Sequence, residues 1–186
     1  MNARSMTALA LFSLTATAWA FVTMASACSS PDTEARIDPV GPSVEQFAFV
    51  APMMVRRCGS IDCHGSRFRN MRVYGYGGLR VDARPDFPLR VTPEEVKATY
   101  ESVIGLEPEV MRDVVRSGGA NPERLTLVRK GREEEEHKGL KLITKGDDAD
   151  VCLTSWLKGA VVVDACNKSG CVVDGGIVGE GCEGPL

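Results

Sequence analysis

The chain has 186 residues, a formal net charge of −3 at pH 7 and 19 glycines, with aromatic residues at 6%. This length suits one domain, and the glycine-rich, aromatic-poor composition favours a loop-rich fold whose core a cofactor can complete. No lysine-rich run interleaved with aromatic residues occurs, which argues against a nucleic-acid partner.

The first 27 residues have the pattern of an export signal. Arg4 supplies a positive charge, residues 7–24 form the apolar segment, and residues 25–27 are the small residues before a cleavage point. We therefore expect residues 1–27 to be a signal peptide and not a membrane span of the mature protein.

Cys28 follows this cleavage point in a context that resembles the lipobox of bacterial lipoproteins. Acylation of Cys28 would attach the protein firmly to a membrane, because two or more lipid chains exceed the marginal binding of one. Ordinary cleavage after Ala27 is the alternative, with Cys28 as a secreted thiol or disulfide partner. Residues 28–42 form the predicted extended tether, at most about 45 Å long. We expect an exported protein, an outer-membrane or periplasmic lipoprotein, in a compartment where disulfides persist.

A first helix is predicted after the tether. Residues 43–46 have the S-x-x-Q form of a capping box, and Phe47 and Met54 follow at helical spacing. This helix should end just before Cys58, and Pro52 should kink it or divide it into two pieces.

Two cysteines with a histidine directly after the second, Cys58, Cys63 and His64, come next. Covalent attachment of a c-type haem needs this set, because each thiol adds to one vinyl group and the adjacent histidine becomes the proximal iron ligand. The usual spacing is C-x-x-C-H, whereas four residues separate the cysteines here. A disulfide between Cys58 and Cys63 is the alternative that this spacing leaves open.

An irregular loop and two helices are predicted in the middle of the chain. Residues 67–88 are rich in Gly and Arg, Thr92 begins one helix, and Pro108 begins another. Eight arginines against three aspartates between residues 56 and 90 could neutralise two haem propionates. A solvated basic surface is the alternative for most of them.

His137 is the second of the two histidines and lies in an acidic block. The carboxylates of this block are predicted to be a solvated face. Asp147 and Asp148 cap a last helix, which places Leu153 and Trp156 on one apolar stripe of the core.

A hairpin is predicted beyond that helix, with strands at residues 161–166 and 171–174 around a four-residue turn. A disulfide between Cys166 and Cys171 would close the turn, which leaves Cys152 to pair with Cys182. The other two connectivities of these four cysteines stay open.

Together these motifs resemble the planctomycete-type cytochrome c domain of exported bacterial proteins. The likeness covers roughly residues 47–159 and is carried by F-V-A-P-M-M at 49–54, C-H-G at 63–65, G-L-R-V-D at 78–82, H-K-G at 137–139 and W-L at 156–157. It implies a mainly α, cytochrome c-like domain over residues 43–159, followed by a Cys/Gly-rich tail over residues 160–186. The first and last helices of such a domain cross, with Phe47 or Phe49 against Trp156.

The resemblance also implies the ligands of the cofactor, haem c. Cys58 and Cys63 would form the thioether bonds, and His64 would be the proximal ligand. His137 is the predicted sixth ligand, on the opposite face of the haem, because it is the only other histidine. Met71, Met111 and an open position are the alternatives, as is a surface role for His137.

We therefore predict an envelope-anchored, cytochrome-like electron carrier that exchanges electrons with redox partner proteins. An enzyme is not expected, since no G-x-S-x-G motif is present. The main alternative is a disulfide-stapled cell-surface lipoprotein without a cofactor, with a structural or interaction role. Zinc bound by Cys58, Cys63, His64 and His137 is the least favoured hypothesis, because adjacent ligands rarely point at one tetrahedral ion.

Overall fold

The computed structural model describes residues 39–82, 90–139, 141–173 and 177–178. Residues 38–186 form one compact unit. The predicted signal peptide, Cys28 and most of the predicted tether lie outside the described residues. Within the described part of the chain, no helix is both long enough and apolar enough to cross a membrane.

The described residues are mainly helical, which confirms the predicted fold class at that level. The helices are α1 (Val44–Cys58), α2 (Pro93–Ile104), α3 (Pro108–Arg116), α4 (Thr126–Gly131), α5 (Asp148–Leu157) and α6 (Val163–Gly170), with a 3₁₀ turn at Pro122–Arg124. Two short strands, β1 (Val172–Val173) and β2 (Ile177–Val178), pair antiparallel with Val173 opposite Ile177.

Helix α1 begins and ends close to the predicted residues. The Ser43 side chain caps it by accepting a hydrogen bond from the Gln46 amide, and Cys58 is its last residue. The expected division into two pieces at Pro52 is wrong, because one helix continues through this residue. Buried neighbours on the same helix, Phe47, Met53 and Met54 among them, hold it in the core, and this packing outweighs the one hydrogen bond that the proline removes.

Helices α2 and α3 have the predicted start signals. Thr92 and Glu95 form a complete capping box at the start of α2, and Pro93 and Pro108 occupy the first positions of the two helices. Proline is favourable there because its missing N–H would have no partner in the first turn. These signals act within a few residues, so the sequence alone predicts where both helices begin.

The first and last helices of the predicted domain meet through an aromatic contact. The ring centroids of Phe47 and Trp156 are 4.9 Å apart, and the indole Nε1 of Trp156 donates to the Ser43 carbonyl at 3.0 Å. Tyr100 of α2 packs edge-on against Phe47, with ring centroids 5.6 Å apart. The crossing contact predicted for Phe47 or Phe49 is therefore made by Phe47, whereas Phe49 is exposed.

The C-terminal hairpin is not where the sequence pattern placed it. The prediction of a strand over residues 161–166 is wrong, because residues 163–170 form α6, and the hairpin lies further on, between β1 and β2. Helix α6 buries Ala165, Cys166 and Ser169 on one face, and an Asp164–Lys168 ion pair of 2.8 Å spans one turn of its exposed side. Burial of this face stabilises a helix, and it outweighs the strand preference of the valines at 161–163.

The predicted disulfides Cys166–Cys171 and Cys152–Cys182 are both wrong. Cys152 of α5 is bonded to Cys166 of α6, with an S–S distance of 2.04 Å. The physical reason is the helix itself, which turns the Cys166 side chain toward α5 instead of along a strand pair. Cys171 is also disulfide-bonded.

Candidate functional site

A pocket of about 720 Å³ opens beside the C-terminal end of α1. Its walls come from the segment 58–71, helix α4, residues 136–139 and residues 142–143, together with Met54 and Leu106. All four residues predicted to bind the cofactor line it: Cys58, Cys63, His64 and His137. The fold thus brings together two segments that are more than 70 residues apart in the sequence, since His64 and His137 face the same space.

The longer spacing between the two cysteines is absorbed by a hydrogen-bonded turn. The amides of Cys63 and Gly65 both donate to the Ser60 carbonyl, at 3.0 and 2.8 Å. The His64 amide donates to the Cys58 carbonyl at 3.0 Å. The four intervening residues therefore fold back on themselves, and Cys63 and His64 return to the end of α1 beside Cys58.

This turn is packed tightly against a second loop at Gly65. A Cβ atom on Gly65 would overlap the Gly59 carbonyl oxygen and would lie 2.8 Å from the Cα of Gly78. Both neighbours are backbone atoms, which cannot move aside cheaply. Only glycine fits, so the glycine after His64 serves the close approach of the two loops.

The His64 ring is held by the protein backbone. Its Nδ1 atom is 3.0 Å from the Met71 carbonyl oxygen. A carbonyl only accepts hydrogen bonds, so Nδ1 carries the hydrogen and Nε2 is the nitrogen with a free lone pair. Burial lowers the pKa of His64, which favours this neutral form. A neutral imidazole whose other nitrogen donates to a backbone carbonyl is the arrangement of metal-binding histidines.

The His137 ring lies beside the His64 ring in the pocket. Their ring centroids are 5.9 Å apart, and the two ring planes differ by 18°. The Nδ1 atom of His137 is buried and has no hydrogen-bond partner among the described residues. A Cβ atom on Gly139 would be 2.8 Å from Cε1 of His137, so the missing side chain of Gly139 leaves room for the ring.

Cys58 and Cys63 are free thiols, although other cysteines of the described chain are oxidised. Cys58 is buried, and desolvation together with the neighbouring Cys63 raises its pKa to about 12. Cys63 is more accessible. Both cysteines line the pocket. The disulfide between them, which the sequence left open as an alternative, is not formed.

The pocket wall is largely apolar, which the sequence patterns did not reveal because its residues come from five separate segments. The apolar wall consists of Met54, Met71, Leu106, Leu127, Leu142 and Ile143. Of the arginines predicted to neutralise propionates, Arg69 lines the pocket, whereas Arg80 pairs with the buried Glu95. Lys130 and Lys138 also line it, and sequence reasoning missed both.

The two alternative sixth ligands, Met71 and Met111, lie in different parts of the fold. Met71 lines the pocket, but on the side of His64, whose Nδ1 contacts its carbonyl. Met111 is buried in the core, away from the lining residues, which agrees with a packing role. Within the residues that the structure describes, no group of three or more His, Cys, Asp or Glu could hold a metal ion, so the zinc hypothesis gains no support.

Comparison with known proteins adds no further residue roles. Neither protein-family models nor curated proteins match this chain. Solved structures give no match either. The resemblance described above therefore depends on the quoted sequence motifs and on the residues that line the pocket.

Proposed function

We propose that the protein is a c-type cytochrome-like electron carrier of the cell envelope that binds one covalent haem. The observation that carries this proposal is the meeting of both histidines with two free thiols in a single pocket. The chain has only two histidines, and the fold brings the second, His137, to the turn that contains the first.

The dimensions of the pocket support a haem-sized ligand. Small-molecule sites usually enclose about 300–1,000 Å³, and the volume of about 720 Å³ lies within that range. The ring centroids of His64 and His137 are 5.9 Å apart, so both imidazoles are close enough to hold one bound group. The buried, unpartnered Nδ1 of His137 also fits a group that completes the pocket.

Each side chain has a distinct proposed role. His64 presents Nε2 to the pocket as the proximal ligand, and the Met71 carbonyl fixes the orientation of its ring. Cys58 and Cys63 would supply the two thiols for thioether bonds, and His137 would be the second histidine available to hold the group. Lys138 also lines the pocket and is the cationic group proposed for the haem carboxylates.

The proposed role as an electron carrier follows from assigning both histidines to the haem iron. Bound haem supplies a one-electron iron couple whose potential depends on the axial ligands and on burial. With both imidazoles assigned to the iron, the chain has no histidine left as a general base. We therefore propose a carrier rather than an enzyme.

Membrane attachment through Cys28 is a separate part of the proposal. It is supported by the cleavage context of Cys28 and by the proline-containing segment that follows. Cys28→Ala should release the protein or block its processing, and fatty-acid labelling of the wild type measures the modification directly. An unlabelled wild-type protein would show that ordinary cleavage after Ala27 is correct.

Haem staining after denaturing electrophoresis tests the cofactor. The wild-type protein, made in a host competent for cytochrome maturation, should retain haem because thioether bonds survive denaturation. The double variant Cys58→Ala/Cys63→Ala should lose the stain. The matched control, Cys152→Ala/Cys166→Ala, removes two other cysteines and should keep it. A wild-type protein without covalent haem would favour the disulfide-stapled lipoprotein instead.

A further inference from the structure

An exposed apolar patch lies at the mouth of the pocket. Phe68 is 88% exposed and Ile61 is 64% exposed, the two highest values among the large exposed hydrophobic side chains. Both lie in the turn over residues 61–69, which Arg69 closes because its guanidinium donates to the carbonyls of Asp62 and Cys63, at 2.9 and 3.1 Å.

The charge around this patch is positive, although the whole chain is acidic. Arg67 and Arg69 flank Phe68, and Arg67 makes no hydrogen bond or ion pair with any described residue. Between residues 60 and 76, Asp62 is the only acidic side chain. An aromatic side chain between two arginines suits the boundary of an anionic bilayer, where the ring enters the interface and the guanidinium groups meet phosphates.

The small size of the patch favours a membrane over a soluble protein partner. A specific protein interface buries about 800 Å² per partner over roughly 20 residues, far more than four side chains provide. A weak contact is sufficient for a domain that is already tethered, because the tether keeps the local concentration of membrane high. The predicted tether over residues 28–42 is at most about 45 Å long.

We propose that the turn over residues 61–69 is a second, peripheral membrane contact, in which Phe68 and Ile61 enter an anionic phospholipid surface and Arg67 and Arg69 bind its phosphates. This contact rests on the envelope location in the proposed function but does not depend on haem. It would turn the pocket mouth, where Phe68 and Arg69 lie, toward the bilayer.

Vesicle sedimentation tests the contact without the lipid anchor. The probe is the exported full chain carrying Cys28→Ser, mixed with phosphatidylcholine vesicles that contain about one third phosphatidylglycerol. We expect binding that weakens with added salt and that is weaker on phosphatidylcholine alone. Phe68→Ala should reduce the partition constant by at least about tenfold. Arg67→Gln should reduce it by about fivefold on the anionic vesicles.

Phe49→Ala is the matched control, because Phe49 is also exposed, at 43%, but lies on α1. It should bind the vesicles as the parent chain does. Absence of binding by the Cys28→Ser chain, or equal losses for Phe68→Ala and Phe49→Ala, would overturn the membrane contact. These outcomes are independent of haem staining and of fatty-acid labelling, so a failure of the proposed function is recognised separately.

Discussion

The two segments that carry the histidines are built in opposite ways. The turn around His64 is held by backbone hydrogen bonds to Cys58, Ser60 and Met71, and Gly65 packs directly on backbone. In the segment around His137, no amide from residue 135 to residue 139 donates a hydrogen bond to a described residue. The first segment is held by backbone hydrogen bonds, whereas the second is held by side chains, with Arg129 bonded to Glu135 and Lys130 to the Glu136 carbonyl.

This difference suggests a division of roles. A ligand held through its second nitrogen is oriented before the metal arrives, and this preorganisation increases affinity. A ligand without such a contact is positioned by the group that it binds. We therefore expect His64 to decide whether the cofactor is retained, and His137 to adjust its electronic state.

Replacing each histidine in turn should give the largest difference. His64→Ala should reduce the yield of stable holoprotein by more than about tenfold, because the proposed proximal ligand is removed. His137→Ala should keep the covalent haem but lose the low-spin spectrum, and His137→Met should raise the reduction potential. The measurements are haem staining, visible spectra and potentiometry. If the spectrum and the reduction potential of His137→Ala are unchanged, His137 is a surface residue and not a ligand.

The two glycines that follow the histidines should differ in their effect on stability. Gly65→Ala forces a Cβ atom into backbone and should lower the free energy of unfolding by roughly 3 kcal/mol or more. Gly139→Ala meets only the side-chain ring of His137 and should cost less than about 1 kcal/mol. Denaturant unfolding of the haem-free variants measures both. Equal losses would show that the segment around His137 is as tightly packed as the turn.

Hydrogen exchange should separate the two segments without any mutation. The amides of His64, Gly65 and Val73 donate backbone hydrogen bonds of 2.8–3.0 Å and should exchange slowly. The amides of residues 135–139 should exchange close to the rate of an open chain. Mass spectrometry of the haem-free protein resolves the two peptides. Strong protection across residues 135–139 would contradict the comparison.

The smallest expected effect is on the pH dependence of the haem-free protein. Burial lowers the pKa of His64 from its usual value of about 6.5, so the folded protein takes up a proton less readily than the unfolded chain. The free energy of unfolding is therefore unaffected by this group above pH ~7 and falls as the pH drops below about 6.5. NMR titration of the ring and denaturant curves of His64→Gln test this. A midpoint above 6.5 for His64 would reverse the sign.

The sequence by itself determined the local features of this protein. Caps and N-terminal prolines placed α1, α2 and α3, because these signals act within a few residues. Motif chemistry selected Cys58, Cys63, His64 and His137 as one candidate site, and the pocket brings these four together. The helix starts depend on residues that are close together in the sequence. The choice of His137 depends on the chain having only two histidines.

Only the tertiary structure decided the features that depend on distant contacts. Three consecutive valines indicate a strand locally, but the apolar face of α6 is buried against the core and the segment is helical. That helix then aims Cys166 at Cys152, a pairing that cysteine spacing does not encode. The Met71 carbonyl on His64 and the unpartnered Nδ1 of His137 likewise arise from how the loops pack. Burial in a shared core is a property of the whole chain, so no local pattern specifies it.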